Sequence, residues 1–229
     1  MDLSAAELVS NWAILTAGFG VGLFHALDPD HLAAVSTMMV KRRSLWRSAL
    51  IGGWWGVGHT LSLLVAGVLV ILLQFHISLA VEQALEFGVG VMLVALGLNV
   101  VRHYFAHRTF DATQPHSHVS VTTGMKLGWR PLLVGIVHGM AGSAALLFLA
   151  VAKLSTTSQK FLFLLVFGLG SIGGMMLMSV LLSLPAYWAA ERHVTAHNAI
   201  RLLAGGFSLC VGAWMIYEIA YVKGLFALS

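Results

Sequence analysis

Charged residues are scarce in this chain. They make up 10% of its 229 residues, against about a quarter in a typical soluble domain. With 59% of residues hydrophobic, there is too little polar material to cover a soluble surface, and a lipid bilayer must solvate most of the molecule. Cysteine is nearly missing: Cys210 stands alone. That excludes an internal disulfide, a two-thiol redox cycle and a thiol-disulfide electron carrier. No Walker A motif occurs, so no ATP-driven step is expected. The first ten residues carry Asp2 and Glu7 but no basic residue, and no cleavage site follows, so a cleavable signal peptide is not expected.

What the chain does have is apolar length. Six stretches suit a bilayer crossing of roughly 20 residues: about Leu8–Met39 (interrupted), Ala49–Phe75, Leu79–Val101, Pro131–Ala152, Phe161–Ala190 and Leu202–Val222. The expected fold is all-α, a polytopic membrane protein of six transmembrane helices forming one transporter domain over 1–229. The net charge of +4 is a topology signal rather than a nucleic-acid footprint. Lys41, Arg42, Arg43 and Arg47 follow span one; Arg102, Arg108, Lys126 and Arg130 follow span three; Arg192 and Arg201 follow span five. The opposite side has Lys153, Lys160 and Lys223 only. The excess of basic residues marks the cytoplasmic face, so both termini are expected outside an inner (plasma) membrane. Trp46, Trp129 and Trp188 near one boundary, with Trp12, Trp214 and Tyr221 near the other, fit aromatic belts.

The two halves resemble one another. Val21-Gly22-Leu23-Phe24-His25 corresponds to Val134-Gly135-Ile136-Val137-His138, 113 residues on. Gly56-Val57-Gly58-His59 corresponds to Gly168-Leu169-Gly170-Ser171 at 112, and Gly90 and Gly97 to Gly205 and Gly212 at 115. Repeat one is placed at about 8–103, a polar His-containing loop at 104–130, and repeat two at about 131–222. Three spans per repeat is an odd number, so the second copy inserts upside down, an arrangement that places a substrate site near the repeat interface. The same glycines also let helices approach closely, and both roles hold together.

Chemistry concentrates at His25-Ala26-Leu27-Asp28-Pro29-Asp30-His31. Two carboxylates and two imidazoles within an apolar span cost several kcal/mol unless partnered. A divalent cation is the simplest partner, since imidazole suits Ni, Co, Cu and Zn. Pro29 has no N–H, so the His25 carbonyl loses its helical partner, and Asp28 is pushed away from helical angles. Asp28 then reads as an N-cap and Pro29 as the first residue of a new helix, giving a first helix broken near Asp28-Pro29. Asp28 and Asp30 compete for direct ligation, and one of them serves equally well as a cap or as the carboxylate that holds a ligating imidazole. His59 in Gly58-His59-Thr60 and His138 in His138-Gly139-Met140-Ala141-Gly142-Ser143 complete the metal set of His25, Asp28, Asp30, His31, His59 and His138. A lone intramembrane histidine is often a satisfied helix contact, but beside this cluster His59 reads as a ligand or as a group orienting one; His138, the repeat counterpart of His25, has no acid near it, and the helix contact is the slightly better reading there. Packing is the plainer reading for Met175, Met176 and Met178. His103, His107, His116 and His118 make the loop a metal-gathering tract or an unstructured polar linker alike.

These residues resemble the nickel/cobalt transporter family, in particular its six-span branch of urease-associated nickel transporters. The family mark, His-x-x-x-x-Asp-His in an early span, is matched by His25, Asp30 and His31, with Asp28 as the further aspartate inside it. Gly58-His59-Thr60 resembles the second motif, and His138 to Ser143 resembles the short branch. The chain departs from the best-known eight-span members at Phe24 and Pro29 and in lacking acidic motifs in its second half. The resemblance implies permeation of Ni²⁺ or Co²⁺ through a central site, with no cofactor and no enzymatic activity. The partners it admits are the divalent ion, the bilayer, a second copy of the chain, or nickel-enzyme maturation factors. Efflux by a protein of the same superfamily is the alternative. An intramembrane metalloenzyme, which needs an additional base, and an assembly subunit are further readings. Cysteines placed singly at Ser44 and Ser229 in a Cys210→Ser background should differ in labelling by an impermeant reagent on intact cells. Ser229→Cys alone should react, and the reverse pattern would invert the topology.

Overall fold

The structure is a computed structural model describing residues 5–39, 44–73, 78–108, 124–141, 151, 154–192 and 194–225. It is helical, with no strand among the described residues. The helices are α1 (Ala5–His25), α2 (Pro29–Met39), α3 (Leu45–Leu72), α4 (Leu79–Arg108), α5 (Gly124–Gly139), α6 (Thr157–Arg192) and α7 (Val194–Tyr217), the last running into a π-helical turn at Glu218–Val222. Four are long and apolar enough to cross a bilayer: Leu45–Leu72, Leu79–Phe105, Thr157–Pro185 and Asn198–Val222. Trp12–His25 is a shorter apolar helix. The chain is thus a multi-pass membrane protein.

The break in the first apolar stretch is local chemistry. Helix α1 ends with the Leu27 N–H donating to the Phe24 carbonyl at 2.9 Å and the Asp28 N–H to the His25 carbonyl at 3.1 Å. The Leu32 N–H then donates to the Asp28 carbonyl at 3.0 Å, so Asp28 caps α2 and Pro29 opens it. The His25 carbonyl does not lose its partner, as Pro29 alone would dictate. A tightened turn supplies the Asp28 N–H instead.

The polar connection expected over Tyr104–Arg130 is shorter than that. Helix α4 continues through Arg108 and α5 begins at Gly124, with Pro131 inside it. His116 and His118 lie outside the described residues.

Helix α4 packs along α7, α3 against both α6 and α5, and α1 against α6. The short α2 reaches α4, α6 and α7 and so joins the two groups. Its buried Ala33, Ala34, Val35 and Met39 share a core with Ile51, Trp55, Val89, Leu93 and Met175. Met175 is a packing residue there. Trp12, Trp46, Trp129, Trp188, Trp214 and Tyr221 are all exposed, as lipid-facing belts require.

Close helix approach rests on glycine. A Cβ on Gly22 would strike the Phe167 carbonyl, on Gly135 the Trp55 carbonyl, on Gly58 the Leu132 carbonyl and on Gly170 the Phe19 carbonyl. A Cβ on Gly97 would lie 2.7 Å from the Gly205 carbonyl oxygen. These neighbours are backbone and cannot give way. Gly22→Ala and Gly135→Ala should each destabilise the protein by about 1–3 kcal/mol, the usual cost of overpacking. Gly20→Ala, with nothing within 4 Å of the new Cβ, should not. Thermal unfolding in detergent checks this, and equal melting points for all three would refute it.

Candidate metal centre

The six residues singled out in the sequence come together where α1 ends, α2 begins and α3 and α5 pass. His31, His59 and His138 are 0%, 0% and 1% exposed. The imidazole of His31 stands 4.4 Å from that of His25, 5.0 Å from His59 and 4.3 Å from His138, centroid to centroid. The two histidines of the turn are each held by the aspartate beside them. His25 Nδ1 lies 2.8 Å from Asp28 Oδ2, and His31 Nδ1 lies 2.9 Å from Asp30 Oδ1. Asp30 Oδ1 also accepts from the His31 backbone N–H at 2.8 Å, and Asp30 Oδ2 accepts from His138 Nε2 at 3.2 Å.

These bonds fix tautomers. An imidazole that donates through Nδ1 to a carboxylate presents its Nε2 lone pair elsewhere. For His25 that lone pair meets His59 Nε2 at 3.0 Å. For His31 it meets nothing: His31 Nε2 is buried without a hydrogen-bond partner, as are His59 Nδ1 and His138 Nδ1. Unpartnered polar atoms at this depth are expensive. One ligand atom each from His25, His31 and His59 falls within 4.8 Å of the others, and the same holds for Asp30, His31 and His138. Asp28, 44% exposed at its side chain, stands outside both groups and orients His25.

Two aromatic residues that the sequence reading passed over also line the cluster. Trp55 lies 5.3 Å from His31 and 5.7 Å from His138, and Phe167 lies 5.4 Å from His25. The signal was present: Trp55 sits one helical turn before His59, on the same face of α3.

Comparison with known proteins gives the family. The chain is 35% identical over 219 residues to the urease accessory protein UreH of Bacillus sp. (strain TB-90), covering 94% of this chain and 96% of that one. It is 30% identical over 101 residues to a high-affinity nickel transport protein of Cupriavidus necator, covering 40% of this chain and 29% of that one. The chain belongs to the nickel/cobalt transporter family. It is also 28% identical over 180 residues to the chloroplast protein FOR GROWTH AND FERTILITY 2 of Arabidopsis thaliana, covering 74% of this chain and 46% of that one. No protein-family model and no solved structure matches.

In this member of the nickel/cobalt transporter family the two aspartates carry unequal structural weight. Removing Asp30 leaves three buried or part-buried donors without an acceptor, each costing about 1–3 kcal/mol. Removing Asp28, itself half-exposed, leaves one donor, Nδ1 of His25, without an acceptor. Asp30→Ala should therefore lower the melting temperature of the metal-free protein by more than Asp28→Ala. Equal shifts would contradict the inequality.

Proposed function

We propose that this chain carries Ni²⁺, or Co²⁺, across an inner (plasma) membrane through the His25–Asp28–Asp30–His31–His59–His138 cluster, in the direction of uptake. The observation that carries this reading is the set of imidazoles oriented by Asp28 and Asp30 within one buried cluster, their ligand atoms within 4.8 Å of one another in two groups of three. The urease accessory and nickel transport relatives support it, and neither name is that of an enzyme. The former also supports supply of the ion to nickel-enzyme maturation.

Six spans in two inverted repeats give this site its means of movement. The glycine contacts support the repeat. Gly22 meets Phe167 as its counterpart Gly135 meets Trp55, and Gly58 meets Leu132 as Gly170 meets Phe19. His25 faces Phe167 as His138 faces Trp55. The Asp28 N–H bonds the His25 carbonyl and the Ala141 N–H bonds the His138 carbonyl, so each repeat leaves its helix in the same way just after its histidine. Alternating access then consists of the repeats rocking about this cluster. Membrane potential is a sufficient drive. A doubly charged ion gains roughly 4.6 kcal/mol per 100 mV, which is more than about a thousandfold accumulation.

His25→Ala and Asp30→Asn should each abolish Ni²⁺ entry into liposomes held negative inside, while the purified variants remain monodisperse. Wild-type accumulation by both would take the cluster off the transport path.

A further inference from the structure

We propose that the cluster provides two overlapping ion positions that share His31, and that the ion is handed from one to the other. The inference rests on the transport reading and names how the site passes its cargo. The first position is built from His25, His31 and His59, the second from Asp30, His31 and His138. The two differ in chemistry: three imidazoles in the first, two imidazoles and a carboxylate in the second. They also differ in which helix end they use. His25 closes α1, and His138 lies in the last turn of α5.

A neutral imidazole has one ring nitrogen with a free lone pair. His31 donates through Nδ1 to Asp30, and its Nε2 has no partner. In that tautomer it serves the first position through Nε2. The nitrogen beside Asp30 is Nδ1, 2.9 Å from Oδ1, so to serve the second position it ligates through Nδ1, and the proton there passes to Nε2. The proton count is unchanged, and the bond broken at one nitrogen is formed at the other. One ring therefore cannot hold ions at both positions, and filling one empties the other.

The shared ligand suits permeation. An ion leaving the first position gives up His25 and His59 while taking on Asp30 and His138, so it is never stripped to water in the apolar interior. The counterparts His25 and His138 thus belong to different steps. One step is exposed to each side as the repeats rock.

The test uses purified full-length protein, Ni²⁺ titration and Ni X-ray absorption, with liposome flux alongside. Wild type should bind one Ni²⁺ per chain. His59→Gln should still bind one, with oxygen in its coordination shell. His138→Gln should also bind one, in imidazole surroundings. Both should lose Ni²⁺ flux, and His31→Gln should weaken binding by roughly tenfold or more. Two Ni²⁺ per wild-type chain, identical spectra for His59→Gln and His138→Gln, or wild-type flux through His138→Gln would each overturn the handover. Two Ni²⁺ on the wild-type chain overturn the handover even where a variant fails to fold. Wild-type protein that neither binds nor carries Ni²⁺ would instead overturn the transport reading beneath it.

Discussion

The carboxylate of Asp30 accepts three hydrogen bonds, two from His31 and one from His138. The first two belong to its own helix and the third reaches across to α5. A carboxylate buried among apolar helices persists only where such partners surround it, so the positions of α2 and α5 are tied to one side chain. Asp30 sits at the second position of α2 because Pro29 opens that helix and Asp28 caps it. The first turn of a helix also favours negative charge. Backbone break, buried acid and crossing helix therefore form one arrangement.

Close packing around that arrangement requires small residues. Lipid gives helices no hydrophobic reason to associate, so their attraction depends on van der Waals contact and on polar bonds between them. The Ser208 hydroxyl donates to the Leu93 carbonyl at 2.8 Å between α7 and α4, beside the glycine pairs Gly90–Gly212 and Gly97–Gly205. At the end of the same pair, Lys223 Nζ bonds Glu86 at 2.8 Å and Gln83 donates to the Lys223 carbonyl. The helices that carry the histidines use backbone contacts of the same kind, which bring imidazoles on α1, α2, α3 and α5 within one another's reach.

Much of this was legible in the sequence, for a physical reason. The turn at Asp28-Pro29 follows from proline's missing N–H and the capping habit of aspartate, both of which act within a few residues. The cost of acids and imidazoles in an apolar span singled out His25, Asp28, Asp30 and His31 without any knowledge of tertiary contacts, and His59 and His138 joined them as lone histidines of other spans, the latter as the repeat counterpart of His25. The rest depends on contacts between distant segments. Nothing local says that Asp30 reaches His138, or that Trp55 and Phe167 pack on imidazoles. Nor does local pattern show that α4 and α5 extend into the polar connection, because no breaker such as proline marks the point where the apolar run of α4 stops, and Pro131, at the edge of that of α5, lies inside the helix. The choice between ligand and orienting group for the aspartates was open for a related reason. It turns on which imidazole nitrogen each carboxylate meets.

The second half of the chain supplies an imidazole to the cluster but no acid. Counting 113 residues on, Asp28 corresponds to Ala141, Asp30 to Ser143 and His31 to Ala144. Within the cluster both carboxylates come from the first half, and His138 depends on Asp30 for its partner. On the proposed transport reading this asymmetry is what one divalent ion needs, because two carboxylates balance two positive charges and a second acidic pair would leave the cluster with an excess of negative charge. His138 thus adds an imidazole to the cluster without adding charge, and it does so through a hydrogen bond to an acid on another helix.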